Sequence, residues 1–227
     1  MVERIVTGFL NTNTYIYSQW KKGCIIIDPG GSFDDIITQL QKKNFTPLAI
    51  VLTHGHYDHL AAVGKLTGYF GEKDVHVPVY IHEADARFLG ATAKDSHMQN
   101  FKTLGVEYDP LLHGELTDLP EPEGYLSEGD TLLDTDIEVI HTPGHTPGGV
   151  SLFSQRDLIL FSGDALFFEG VGRTDLPDGD MQQLIDAIRE KLFVLPDETR
   201  VFPGHGPFST IEREKQHNPF VAGRTSL

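Results

Sequence analysis

The chain holds one cysteine and one tryptophan, and its 18 basic residues are outnumbered by 33 acidic ones. With Cys24 alone, no intrachain disulfide can form. Cys24 sits in the apolar run "KKGCIIIDPG", where it reads as a small core hydrophobe rather than a reactive thiol. The net charge of −15 disfavours a polyanionic partner, because binding to nucleic acid through phosphates needs basic faces. No uncharged apolar run approaches the roughly 20 residues of a membrane span. The opening "MVERIVTGFLNTNTYIY" lacks a basic region followed by a long apolar stretch, the form of a secretory signal. The expectation is a cytoplasmic protein with no nucleic-acid and no membrane partner.

What is present is ordinary for a folded protein: 39% apolar and 10% aromatic residues across 227 positions, enough for a full core. We expect a single domain over residues 1–227. "TYIYS" (Thr14 to Ser18) and "CIIIDPG" (Cys24 to Gly30) predict adjacent strands. A helix capped by Ser32 follows, then a buried strand "LAIVLT" and a helix over "DHLAAVGKLTGYFG". "VPVYIH" predicts another strand, and "EADARFL" the start of a helix. Residues 90–124, with Pro110, Pro120 and Pro122, predict a long irregular connection with one helical piece near "SHMQNFKTLG". Strands return in "TLLDTDIEVIHTPG", read as two around a tight turn, and in the hairpin "GVSLFSQRDLILFSGD". Leu184, Ile185, Ile188 and Leu192 then stripe a helix, and "RVFPGHGP" is a short strand entering a loop. Two similar halves of strands and helix suit sheets covered by helices.

The chemistry lies at the ends of these strands. "THGHYDH" places His54, His56, Asp58 and His59 directly after an apolar strand. Positions two apart on an extended segment project to the same side, so His54 and His56 can face one ion. Asp58 and His59, in the first turn of the following helix, are offset toward a second. His145, Asp164 and His205 each sit in a Gly/Pro-rich turn after a later apolar strand. A structural zinc site would be closed and cysteine-rich; a mixed nitrogen and oxygen set suits hydrolysis. Seven such ligands exceed one zinc's needs and suit two, with one carboxylate bridging.

"THGHYDH", the "GH" of "TPGHTPG", "GDALFFEGVGRTD" and "FPGHGPFSTIEREKQHNPF" resemble, in order, the signature blocks of the metallo-β-lactamase superfamily. More narrowly they resemble its glyoxalase II-like (hydroxyacylglutathione hydrolase-like) branch. The resemblance runs from Asn13 to Phe220. It implies an α/β fold, a four-layer αββα sandwich with metals at one edge of the sheets. It implies that His54, His56 and His145 hold a first metal, that Asp58, His59 and His205 hold a second, and that Asp164 bridges them. The implied cofactors are two zinc ions, with iron or manganese also acceptable to such ligands.

The implied activity is hydrolysis of a small thioester or ester, such as an S-acyl-glutathione, by a metal-bridging hydroxide. Asp58 would orient that nucleophile as well as bind metal. Asp28 has two readings: a carboxylate supporting a ligand histidine, or a turn-forming residue before Pro29. Arg173 also has two: a clamp on a substrate carboxylate, or a salt bridge to Asp175. Full-length glyoxalase II proteins carry a helical domain after the last histidine. Only 22 residues follow His205, so the motifs resemble a shorter bacterial-type member. The alternative is a mononuclear-iron persulfide dioxygenase on the same fold, using His54, His145 and Asp164; the intact His205 favours two metals. An exported β-lactamase, an RNA-processing nuclease and a flavodiiron-type protein fit less well, and a non-catalytic metal-binding module is the bland alternative. The remaining histidines, His76, His82, His97, His113, His141 and His217, read as surface or hydrogen-bonded residues; of these, His97 and His113 in the long connection are the ones placed to touch substrate.

Overall fold

In the computed structural model, residues 1–105 and 118–222 are described. Pro110 and His113 lie outside them. The chain divides between Tyr125 and Leu126 into two units, each with its own sheet and core. No helix among the described residues is long and apolar enough to cross a membrane.

The first unit is built on the sheet order β1-β2-β3-β4-β5-β6. Its strands are β1 Val2–Thr7, β2 Thr12–Tyr17, β3 Gly23–Ile27, β4 Thr46–Val51, β5 Val79–His82 and β6 Gly124–Leu126. β1, β2 and β3 run antiparallel in turn, while β3, β4 and β5 are parallel. A parallel strand covered on both faces must be apolar throughout, and Cys24 to Ile27 and Ala49 to Val51 are all buried. Cys24 is thus a core residue, and burial pushes its thiol up to about 12.

Helix α1, Phe33–Lys43, buries Ile36 and Leu40. Asp34 and Asp35 in its first turn and Lys42 and Lys43 in its last oppose the helix dipole favourably. Ser32 caps it differently from expectation. At φ 50° its side chain makes no capping bond, and its carbonyl accepts from Asp35 and Ile36 instead.

The helix expected after "THGHY" is two: α2 Tyr57–Leu60 and α3 Val63–Gly71. The break has a physical cause. The Ala62 N–H is diverted to the Pro29 carbonyl at 2.9 Å. The Asp58 carbonyl it would otherwise take lies against Gly30, where a Cβ would stand 1.8 Å from that oxygen. "EADARF" forms a 3₁₀ turn, Glu83–Phe88, and α4 spans Ala93–Thr103 within the connection expected to be irregular.

The second unit carries the sheet order β13-β12-β9-β8-β7 and a separate hairpin, β10-β11. Strands β7 Ile137–His141, β8 Val150–Ser154 and β9 Ile159–Gly163 form an antiparallel meander. Of the two strands expected in "TLLDTDIEVIHTPG", only β7 forms. Thr131 contributes a lone bridge to Glu138, because the chain turns at Leu132 to Thr135 with Leu133 at φ 48°. β10 is Leu166–Phe167 and β11 Gly170–Val171. β12 Arg200–Pro203 lies parallel to β9, and β13 Ser209–Thr210 edges the sheet.

Helix α5, Met181–Ala187, continues as a π turn over Ile188–Leu192. Leu184, Ile188 and Leu192 of the expected stripe are fully buried. They join Leu160, Leu166, Val201 and Ile211 in this unit's core. α6, Ile211–His217, follows β13 directly.

Candidate metal centre

In the first unit β3 and β4 end side by side, and their ends carry polar residues into the apolar interior. Asp28, which follows β3, is 2% exposed and adopts a left-handed backbone at φ 50°. Its oxygens are fully used. Oδ1 accepts from the Thr53 N–H at 2.8 Å, and Oδ2 accepts from the Thr53 hydroxyl at 2.6 Å and from His59 Nδ1 at 3.0 Å. Thr53 Oγ1, its proton given to Asp28, accepts in turn from His54 Nδ1 at 3.1 Å. This chain of donors fixes both tautomers. His54 and His59 are protonated at Nδ1, so each presents its Nε2 lone pair. Their rings lie 4.1 Å apart, and His56 stands edge-on to His54 at 4.9 Å. Asp28, His54 and His59 also offer atoms within 4.8 Å of one another. Of these three, Asp28 already has its oxygens engaged by Thr53 and His59.

The loop is held from beneath. The Gly55 N–H donates to buried Asp85 at 2.8 Å. A Cβ at Gly55 would stand 2.0 Å from the Phe88 ring, so only glycine fits there. His56 packs edge-on to Phe88 at 6.1 Å. Asp58 receives the Thr12 hydroxyl on Oδ2 at 2.8 Å, and the same oxygen lies 3.5 Å from His59 Nε2.

In the second unit, Asp164 follows β9, His145 follows β7 and His205 follows β12. His145 Nδ1 donates to the Arg173 carbonyl at 2.6 Å, and a carbonyl can only accept. His145 therefore also presents the Nε2 lone pair. Asp164 Oδ2 stands 3.6 Å from His145 Nε2 and 3.5 Å from His205 Nε2. An N–H···O hydrogen bond is typically about 2.7–3.2 Å long. Ligands about 2.1 Å from one tetrahedral ion lie about 3.4 Å apart. The spacings around Asp164, and between Asp58 and His59, match the second distance. Donor type, tautomer and spacing all fit a divalent metal.

Arg173 has its guanidinium paired with Asp175 through two bonds of 2.7 and 2.9 Å, both side chains exposed. The Arg173 hydrogen bond holds the Asp175 carboxyl down at about 2. The part of Arg173 that touches His145 is its main-chain carbonyl. His97 is enclosed in the first unit's core, 1% exposed, with Nε2 on the Phe88 carbonyl at 3.0 Å. That bond fits the hydrogen-bonded reading of His97 rather than a substrate contact, and the burial lowers its pKa to about 4.

Sequence reading missed Thr53, Thr12, Asp85 and Gly172. Thr53 carried a signal, a threonine placed directly before the histidine cluster. Asp85 and Gly172 act across the fold and leave no local pattern.

Residues 7–205 match the family model of the metallo-beta-lactamase superfamily. The chain is 33% identical over 223 residues to the hydroxyacylglutathione hydrolase GloC of Haemophilus influenzae, covering 97% of each chain. A crystal structure of BLEG-1 B3 metallo-beta-lactamase superposes with a TM-score of 0.85 at 38% identity, covering 98% of this chain and all of that one. A crystal structure of TTHA1623 in a di-iron-bound form superposes with a TM-score of 0.74 at 34% identity, over 96% of this chain and all of that one.

Proposed function

Since the chain belongs to the metallo-beta-lactamase superfamily of metal-dependent hydrolases and carries its α/β fold of mixed sheets and helices, we propose that it is a two-metal hydrolase of small thioesters, S-acyl-glutathiones among them. His54, His56 and His145 would hold one ion, Asp58, His59 and His205 the other, with Asp164 shared. The observation that carries this reading is the set of fixed tautomers. His54, His59 and His145 each turn Nδ1 to an acceptor of the protein's own, so Nε2 is in each the nitrogen that would face a metal.

When bound, the ions supply a Lewis acid for the thioester carbonyl and a water-derived nucleophile at neutral pH. The chain's residues do the rest. Thr12 donates to Asp58 Oδ2 and so sets the direction of the Asp58 carboxylate, which would orient the nucleophile. Phe88, beneath Gly55, fixes the height of the His54–His56 segment. Arg173, exposed and bidentate to a carboxylate in Asp175, would exchange that partner for a substrate carboxylate. Glutathione is one thiol carrier bearing such groups.

Zinc is the proposed metal. The di-iron form of TTHA1623 shows that a relative with 34% identity accepts iron. The printed activity of GloC favours a thioester, whereas that of BLEG-1 favours a β-lactam. The test is direct. Zinc-loaded protein is assayed on S-lactoylglutathione, on a simple acyl thioester and on a chromogenic β-lactam, with His56→Ala as control. Thioester turnover above the control supports the proposal. Turnover of the β-lactam alone, or oxygen uptake with glutathione persulfide and no hydrolysis, removes it.

A further inference from the structure

The motif "STIEREKQHNPF" has no direct part in the centre described above, yet it contains two polar residues that are 0% exposed, Glu214 and Asn218. A buried carboxylate is tolerated only when bonded. Glu214 is bonded by three donors: the Ser209 hydroxyl on Oε1, and the Glu169 N–H at 2.9 Å and Asn218 Nδ2 at 2.8 Å on Oε2. Asn218 Nδ2 also donates to the Gly170 carbonyl at 2.9 Å, and its Oδ1 accepts from the Phe220 N–H at 3.1 Å. Glu169 lies in the turn at the tip of the β10-β11 hairpin, and Gly170 is the first residue of β11 beside it. The C-terminal segment thus grips that tip by one backbone donor and one backbone acceptor.

The hairpin cannot hold its own shape. Its ladder is two residue pairs long, Leu166↔Val171 and Phe167↔Gly170, and so short a ribbon is not independently stable. Glu169 is left-handed at φ 53°, a conformation that non-glycine residues keep only when their surroundings impose it.

Both ends of the hairpin meet the metal ligands. The chain enters β10 from Asp164. It leaves β11 at Gly172, where a Cβ would stand 1.9 Å from the Asp164 carbonyl oxygen and 3.0 Å from His145 Nδ1. The next residue, Arg173, supplies the carbonyl that fixes the His145 tautomer. A shift of the tip therefore passes to Gly172 and Arg173, and from there to His145 and Asp164.

We propose that Glu214 and Asn218 are positioning residues that set the metal affinity of His145 and Asp164 through the β10-β11 hairpin. The inference rests on the ligand assignment of the preceding subsection. Supporting groups of this kind are worth roughly 10–100-fold in metal affinity. The test is zinc affinity by chelator competition, with the absorption of the cobalt-substituted protein as a second readout, for Glu214→Ala, Asn218→Ala, Glu214→Gln and His145→Ala.

Zinc binding about tenfold weaker or worse and an altered cobalt spectrum are expected for both single alanine variants at 214 and 218. Glu214→Gln should recover most of the affinity, because its oxygen can replace Oε2 and its amide can donate to Ser209. If Glu214→Ala does not fold, Asn218→Ala decides. A lowered melting temperature with zinc affinity and cobalt spectrum unchanged overturns the inference and leaves the ligand assignment standing, provided His145→Ala loses zinc. Full zinc retention by His145→Ala overturns the assignment itself.

Discussion

Replacing Asp28 by Asn tests the tautomer argument at its root, because the change keeps the size of the side chain and alters only its hydrogen-bonding character. Asp28 accepts three hydrogen bonds, one on Oδ1 and two on Oδ2. An amide offers one acceptor. The Thr53 N–H cannot turn away, so the amide oxygen takes the Oδ1 place and the NH₂ takes that of Oδ2. His59 Nδ1 then faces a donor and must surrender its proton to Nε2. The Thr53 hydroxyl loses its acceptor and turns to His54 Nδ1, which drives that proton to Nε2 as well. Two ligand nitrogens become N–H groups. Returning them to the binding tautomer leaves a buried donor facing a donor, at a cost of about 1–3 kcal/mol.

Each tenfold in affinity corresponds to about 1.4 kcal/mol. Asp28→Asn should therefore weaken zinc binding about 10–100-fold. The assay is chelator competition, with circular dichroism to show that the variant is folded. A folded Asp28→Asn protein with wild-type zinc affinity would refute the hydrogen-bond chain from Asp28 to the two histidines.

Two further outcomes follow from the same geometry. Arg173→Met retains the main-chain carbonyl that His145 uses, so zinc content should stay unchanged. KM should rise several-fold for S-lactoylglutathione and not for an uncharged thioester; steady-state kinetics on both substrates checks this. His97, buried and neutral, has its pKa lowered to about 4, chiefly by desolvation and partly offset by its bond to the Phe88 carbonyl. An unfolded chain protonates this histidine near pH 6.5 and the folded one only near 4. Stability is therefore unaffected above pH 6.5 and falls as the pH drops toward 4, by an amount of order 3 kcal/mol. Urea unfolding of the apoprotein between pH 7 and 4 should show this slope, and His97→Phe should flatten it.

The candidate ligands were legible because His54, His56, His145, Asp164 and His205 stand in turns after apolar strands, with Asp58 and His59 in the short helix that follows the first of these turns, and strand ends read well from composition. β2, β3, β8 and β9 were legible for the same reason, being uninterrupted apolar or β-branched runs. The interruption between α2 and α3 was not. It depends on Pro29 and Gly30 meeting Asp58 and Ala62 across the fold, and helix periodicity continues through it. β1, β10, β11 and α6 were also missed. β1 is half exposed and mixed in composition, β10 and β11 are two residues each, and α6 is a seven-residue helix inside a stretch read as motif. Arg173 shows the limit most clearly. The motif pointed to its guanidinium, whereas its contact with His145 is through a backbone oxygen, which any residue possesses.

A two-metal hydrolytic centre is tested at its simplest by metal content. Protein purified without added metal is analysed for elements and expressed as ions per chain. Two ions per chain are expected, zinc foremost, with fewer in Asp164→Ala. A single iron per chain in active protein, or no transition metal at all, would contradict it.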